Sequence, residues 1–369
     1  MFLSPKINRQ LKNIPGWRTN RKIIVIESDD WGSIRMPSIE IYNKLLNQGY
    51  RVDLHPYEKY DSLASEEDLT TLFQVLLKYK DRNGNNPVIT ANCVVANPDF
   101  KRIEESNFQE YYYEPFTETL KLYNYSSSFN LWEHGIKERI FIPQFHGREH
   151  INVAAWMYAL QNNDQDIMLA FKYGMTGIFP KYNHTRGNQM MVALNDTALE
   201  KTPQLDLIIK DGLNLFEKIF GYRSKTFMAP CYTWRSELEK TLMEGGIQGF
   251  QGAFRQIVPG NGTITHWMGS KNSIGQYYFI RNCSFEPATN RNSNVNTCIS
   301  DIETAFRWGK PAIISSHRIN FIGSIHKDNR ENNLKQLSIM LAKMINRWPE
   351  VEFMSSNQLL KIVKEASGK

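Results

Sequence analysis

The chain has 369 residues, 41% hydrophobic and 12% aromatic, enough apolar material for one large α/β domain and too much for a disordered polymer. Its 44 Lys and Arg against 38 Asp and Glu leave a net charge of +6 that is spread along the chain, and no DNA- or RNA-recognition motif occurs, so a nucleic-acid partner is excluded. The first residues lack the apolar core of a signal peptide, no stretch has the length of a membrane span, and Cys93, Cys231, Cys283 and Cys298 form no CxxC pair. These features predict a cytoplasmic protein with free thiols.

The first strand is 23–28, and the run Ile23-Ile24-Val25-Ile26-Glu27-Ser28 stops at Asp29, Asp30, Trp31 and Gly32. An apolar β run ending in two carboxylates places charge at the C-terminal edge of a sheet, where α/β folds bind ligands. Adjacent carboxylates repel unless something positive stands beside them, which suggests a metal ion. Helices follow at 38–48 and 66–80, the second opened by a Ser65–Asp68 capping box, and then a strand at 88–95. Residues 99–137 are aromatic and polar with weak periodicity and read as a long insertion over the active face.

Further strands are predicted at 139–145, 176–180, 224–228, 247–251, 276–282, 311–316 and 351–354. They alternate with helices at 151–161, 164–173, 204–220, 235–244, 296–308, 330–347 and 355–366, and with loops at 183–195 and 290–296. Such alternation predicts parallel strands with crossover helices, as a barrel or an open sheet, in a single domain over 1–369.

Three later strand ends also carry chemistry. His146-Gly147-Arg148-Glu149-His150 opens the helix from Ile151, and two histidines four apart on one face of a helical turn can share one ion. The strand 224–228 runs into Pro230, Cys231, Tyr232, Thr233 and Trp234, where aromatics beside a polar site can stack on sugar rings or pack in the loop. Pro311–Ser316 delivers His317.

In this order the residues resemble the NodB-type polysaccharide deacetylases of carbohydrate esterase family 4. The resemblance implies a distorted (β/α)7-8 barrel and hydrolysis of an acetyl group on a carbohydrate, an N-acetyl amide in preference to an O-acetyl ester. It implies that Asp30, His146 and His150 bind a divalent ion, zinc first among them. Asp29 would take a proton from the attacking water, the Tyr232 backbone N–H would help hold the oxyanion, and His317 would protonate the leaving amine. Trp31 and Trp234 are the expected substrate contacts. The substrate would be an acetylated sugar, and the cytoplasmic address suggests a nucleotide-linked or lipid-linked precursor of a surface glycan.

The chain departs from the family pattern at the arginine expected to pair with the catalytic aspartate, because Met228 and Ala229 occupy that stretch. Arg148, Arg235, Arg255 and Arg318 are candidates to replace it. Glu286 is a candidate for the acid that orients it. Trp31 stands where the family has glycine. Two rival readings remain. One is a sugar-binding protein without activity on the same barrel. The other is a metallopeptidase of the H-x-x-E-H type with Glu149 as base, although Pro143 and Gly147 set that motif at a strand-to-helix junction.

Overall fold

The computed structural model describes residues 10–179, 190–196, 205–252, 254–290 and 292–367. The expected N-terminal features at 1–9, most of the loop 183–195 (its residues 183–189), position 180 of the expected strand 176–180, position 204 of the helix and position 291 of the last loop lie outside the described residues.

Thirteen strands are present among the described residues: β1 (Lys22–Trp31), β2 (Ile89–Cys93), β3 (Ala96–Pro98), β4 (Tyr113–Pro115), β5 (Phe141–Phe145), β6 (Thr226–Met228), β7 (Gly249–Gly252), β8 (Arg255–Val258), β9 (Gly262–Thr265), β10 (Tyr277–Ile280), β11 (Cys283–Ser284), β12 (Ala312–His317) and β13 (Val351–Met354). Nine of them form one sheet in the order β10-β7-β6-β5-β2-β1-β12-β11, with β13 also on β1. Every pair in that sheet is parallel. The remaining four make two small antiparallel ladders, β3 with β4 and β8 with β9. Helices connect most of the parallel strands, the β8–β9 ladder lying instead between β7 and β10, and the expected capping box at Ser65 is formed in both directions.

The ends of the ladder, β10 and β11, are separated only by Arg281 and Asn282. One chain segment therefore leaves β7 and joins β12, and the covalent chain, rather than a hydrogen-bonded ladder, completes the ring. The Arg281 amide donates to Gly252 at 2.8 Å on one side. On the other, the Asn282 side chain accepts from the Ile313 amide at 2.8 Å and donates to the Pro311 carbonyl at 2.9 Å. This is a distorted barrel.

Alternation along β1 sorts its side chains between two environments. Ile24 and Ile26 face the outer core, which includes Trp132, Phe141, Leu337 and Met340. Ile23 and Val25 pack with Leu359, Leu360 and Val363 of the C-terminal helix Ser356–Ser367. Above them on the same face lie Glu27 and Asp29, both buried, in a polar layer that opens at the carboxyl ends of the strands.

Two expectations change. Residues 176–179 form no strand, although Ile178 is buried against Met36 and Leu45. Of the expected insertion 99–137, the helices Phe116–Leu122 and Ser128–Lys137 bury Phe116, Leu120 and Trp132 in the principal core, so this part is a structural layer. The apolar positions needed for that packing are hidden from a periodicity search because they are aromatic and divided between short helices. All four cysteines are free. No helix among the described residues is long and apolar enough to cross a membrane.

Replacing Asn282 with alanine should leave the Ile313 amide and the Pro311 carbonyl unpartnered at the seam, costing about 1–3 kcal/mol of stability. Urea denaturation checks this, and an unchanged midpoint would mean that the seam does not hold the ring.

Candidate active site

The register between β1 and β12 sets Asp29 directly beside His317. Between Ser28 and Trp31 the pairing of β1 with β2 is interrupted by a bulge. There Asp30 adopts φ 72°, the left-handed region that a residue with a side chain adopts only at a cost of roughly 1–3 kcal/mol. The bulge breaks strict alternation, so the carboxylates of Asp29 and Asp30 both reach the site.

Asp30 meets the two histidines. Its Oδ1 lies 3.5 Å from His146 Nε2 and 3.3 Å from His150 Nε2. One ligand atom from each of the three residues falls within 4.8 Å of the others, and all three residues are buried. The histidines do not lie on a helical turn as expected. They stand in a loop ahead of the helix Val153–Gln161, bent at Gly147 with φ 113°, and their rings are 5.0 Å apart.

His146 Nδ1–H donates to the Met228 carbonyl at 2.7 Å. That bond fixes the tautomer and leaves Nε2 as a bare lone pair, buried and without a hydrogen-bond partner. Burial pushes His150 down to about 3 despite the neighbouring Asp30, so its imidazole is neutral, as a ligand must be. Burial opposes charge on Asp30 as well, but the positive groups around it, Arg35 among them, hold it well below the ordinary carboxylate range. An orphaned imidazole nitrogen, a neutral imidazole and an ionised carboxylate converging on one point are the donor set of a divalent ion such as zinc.

The arginine absent from the expected stretch is Arg281. Its Nη1 and Nη2 grip Asp29 at 2.6 and 2.7 Å, and its Nε donates to Glu27 at 2.7 Å. None of the four expected arginines does this. Arg148 binds Glu149 and Asp211, Arg235 binds Asp196, Arg318 binds Asp61, and Arg255 is exposed on β8. Asn92 adds a third donor to Asp29 at 2.7 Å. Burial raises the Asp29 carboxyl, yet Arg281 more than offsets it and holds Asp29 well below the ordinary range. Arg281 ends an apolar strand in the same way as the aspartates do, which is the signal that could have found it.

Glu286 has a different role from the one expected, because it binds His317 instead of the arginine. His317 Nδ1–H donates to Glu286 at 2.6 Å, and Asn320 holds the other carboxylate oxygen at 2.8 Å. His317 Nε2 is thereby aimed into the site, 3.8 Å from Asp29 Oδ2. Burial works against charge on His317, but Glu286, with Asp29 and Asp30 nearby, outweighs it and pushes the imidazole up to about 10.

Three other expectations are corrected. Trp31 is only 1% exposed and packs on Trp132 and Phe141, with its indole N–H donating to Ser28. The residue added by the bulge returns Trp31 to the outer face, where it cannot touch substrate. Trp234 is 3% exposed and stacks on Phe250 at 5.3 Å, so it too belongs to the core. The Tyr232 N–H, expected to face an oxyanion, donates to Ala229 at 2.9 Å within a tight turn. Cys231 and Tyr232 both have positive φ there (53° and 57°), and Tyr232 lines the cavity above Asp29 with its side chain.

Asp29 with its arginine partner, the Asp30–His146–His150 triad and the carboxylate-bound His317 are thus assembled at one sheet edge. The chain resembles the NodB-type deacetylases. No family model matches the sequence, and no curated protein does. Among solved structures, the peptidoglycan deacetylase PdaC from Bacillus subtilis is 11% identical with a TM-score of 0.39, covering 95% of this chain and 94% of that one. A CE4 family pseudoenzyme from Bacillus anthracis is 10% identical with a TM-score of 0.37, covering 94% and 69%. The 4-alpha-glucanotransferase from Thermococcus litoralis is 11% identical with a TM-score of 0.46 over 92% of this chain, which spans 40% of that enzyme's length.

If the triad holds the ion, purified protein should carry about one equivalent of a divalent metal. Asp30→Ala, His146→Ala and His150→Ala should each lose it by elemental analysis, and wild-type metal content in these variants would rule the triad out.

Proposed function

We propose that the protein is a metal-dependent hydrolase that removes an acetyl group from a carbohydrate, an N-acetyl amide in the first instance. The observation that carries this reading is the placement of Asp29, gripped by Arg281, directly beside His317, gripped by Glu286, in the cavity that the Asp30–His146–His150 triad also lines.

Asp30, His146 and His150 would hold a divalent ion, which would supply Lewis acidity toward an attacking water and the acyl carbonyl. Asp29 accepts the proton from that water. Its Oδ1 is already committed to Arg281 and Asn92, while Oδ2, with one donor from Arg281, faces His317 and the cavity. His317 donates from Nε2 to the departing nitrogen, its other nitrogen being fixed by Glu286. An amine is a poor leaving group unless protonated, so a histidine kept charged through neutral pH suits amide cleavage. Arg35 donates to Asp30 Oδ2 at 3.1 Å, which keeps that oxygen occupied and turns Oδ1 to the histidines.

The absence of an arginine near Met228 was the reason to consider a sugar-binding protein without activity. Arg281 fills that place from the junction of β10 and β11, which supports the enzyme. The peptidase reading loses its base, because the Glu149 carboxylate is taken by Arg148 at 2.8 and 3.0 Å.

Acetate release should be measured across acetylated sugars, sugar nucleotides and oligosaccharides. Asp29→Asn should abolish turnover, by at least about 1,000-fold, while leaving metal content unchanged. Activity that persists in this variant while metal is lost would reverse the roles of the two aspartates. A second outcome concerns pH. His317 must be protonated to act, so activity falls as pH rises through its pKa. Glu286→Gln removes the carboxylate that raises it, and the basic limb of the rate profile should move down by roughly one unit or more. An unmoved limb would take His317 out of the acid role.

A further inference from the structure

The site opens into a cavity of about 340 Å³. That is near the lower end of small-molecule pockets, which run from roughly 300 to 1,000 Å³. Besides the triad, its lining includes Arg35, Tyr57 and the apolar residues Met36, Ile167, Met175 and Ile178. Two carboxylates on this surface are used neither by the triad nor by the hydrolytic residues. Asp166 lies in the first turn of the helix Gln165–Lys172, is 8% exposed, and has a buried Oδ1 with no hydrogen-bond partner. Glu58 lies in the helix Pro56–Tyr60. One of its oxygens accepts from the Phe179 amide, while Oε2 is sealed from solvent and also lacks a partner.

Both residues line the cavity. Asp164 lines it too, but its side chain already caps the helix by accepting from Ile167 at 3.2 Å.

A buried acceptor left unpaired costs about 1–3 kcal/mol, and more when charged. Two of them on one cavity wall mark a surface that is incomplete without a ligand. A carboxylate can only accept, so the missing partners are donors. Burial pushes Glu58 up to about 7, against the Phe179 amide and Arg35, and a donor placed on Oε2 would restore its charge. The lining also includes Met36, Ile167, Met175, Ile178, Met190 and Met191, an apolar surface suited to the faces of a compact molecule.

We propose that Glu58 and Asp166 read the substrate, accepting hydrogen bonds from hydroxyl or ammonium donors of a single acetylated sugar unit enclosed in the cavity. This rests on the deacetylase reading for the position of the acetyl group at the triad. It goes beyond that reading in limiting the substrate to a monosaccharide or a terminal sugar and in naming the groups that select it.

The test is calorimetric binding to the zinc-loaded full chain, with Asp29→Asn used for substrates that turn over. The probes are a panel of mono-N-acetylated monosaccharides, the matching free amines, and the trimer of N-acetylglucosamine. At least one monosaccharide should bind, and Asp166→Asn and Glu58→Gln should each weaken it about tenfold or more. Zinc content and unfolding midpoint should stay at the wild-type level. A larger loss for the free amines would identify ammonium as the donor, and equal losses would identify hydroxyls.

Binding unaffected by both substitutions, binding of the trimer alone, or binding of no probe would each overturn the proposal. Acetate release separates the two readings. Sugar binding that depends on Glu58 and Asp166 without acetate release would sink the deacetylase and leave this site standing. Acetate release with KM unchanged in both variants would sink this site alone.

Discussion

Arg281 is the interaction on which the rest of the site depends. Its guanidinium is buried between Glu27 and Asp29, two acids on the same face of β1, and all of its contacts are charge-assisted. Either carboxylate alone in that layer would be expensive, and burial does push Glu27 upward. The arginine outweighs that cost for Asp29 and lessens it for Glu27, which Ser356 also supports from the C-terminal helix at 2.7 Å. Because Arg281 also sits where the chain passes from β10 to β11, closing the ring and orienting the Asp29 carboxylate are one event. Losing one member of such a buried group costs about 3–5 kcal/mol, since the others stay behind uncompensated.

The bulge in β1 is the second constraint. An unbroken strand would send Asp29 and Asp30 to opposite faces. The left-handed residue at Asp30 brings both to the same rim and gives them different neighbours. Asp29 is enclosed by donors from Arg281 and Asn92, while Asp30 faces two imidazoles and Arg35. One carboxylate is thereby suited to take a proton and the other to hold an ion. Local backbone strain separates two chemically identical residues.

The histidines are separated by the same logic. Burial governs His150, which is kept neutral, whereas the carboxylate of Glu286 governs His317, which is kept charged. Groups of one type driven in opposite directions within one cavity divide ligand from acid. The cavity continues past them into a wall where Glu58 and Asp166 present acceptors with nothing yet to accept from.

The sequence by itself determined most of the parallel strands and crossover helices, because these are written in local periodicity. It also determined which strand ends carry Asp29, Asp30, His146, His150 and His317, since a polar residue closing an apolar run is a local signal. Only the tertiary structure decided the partners. Arg281 meets Asp29 across a separation of 252 residues, and Glu286 meets His317 across 31. Both pairings depend on where the ring closes, about which local periodicity is silent. Trp31 and Trp234 read as exposed aromatics because burial is a property of neighbours. For Trp31 a one-residue bulge chose the face, and for Trp234 the stacking partner Phe250 came from another strand. Chemistry was legible at the ends of the strands that carry the aspartates and histidines, Arg281 being the exception, and the pairings were illegible because they required two strand ends to meet.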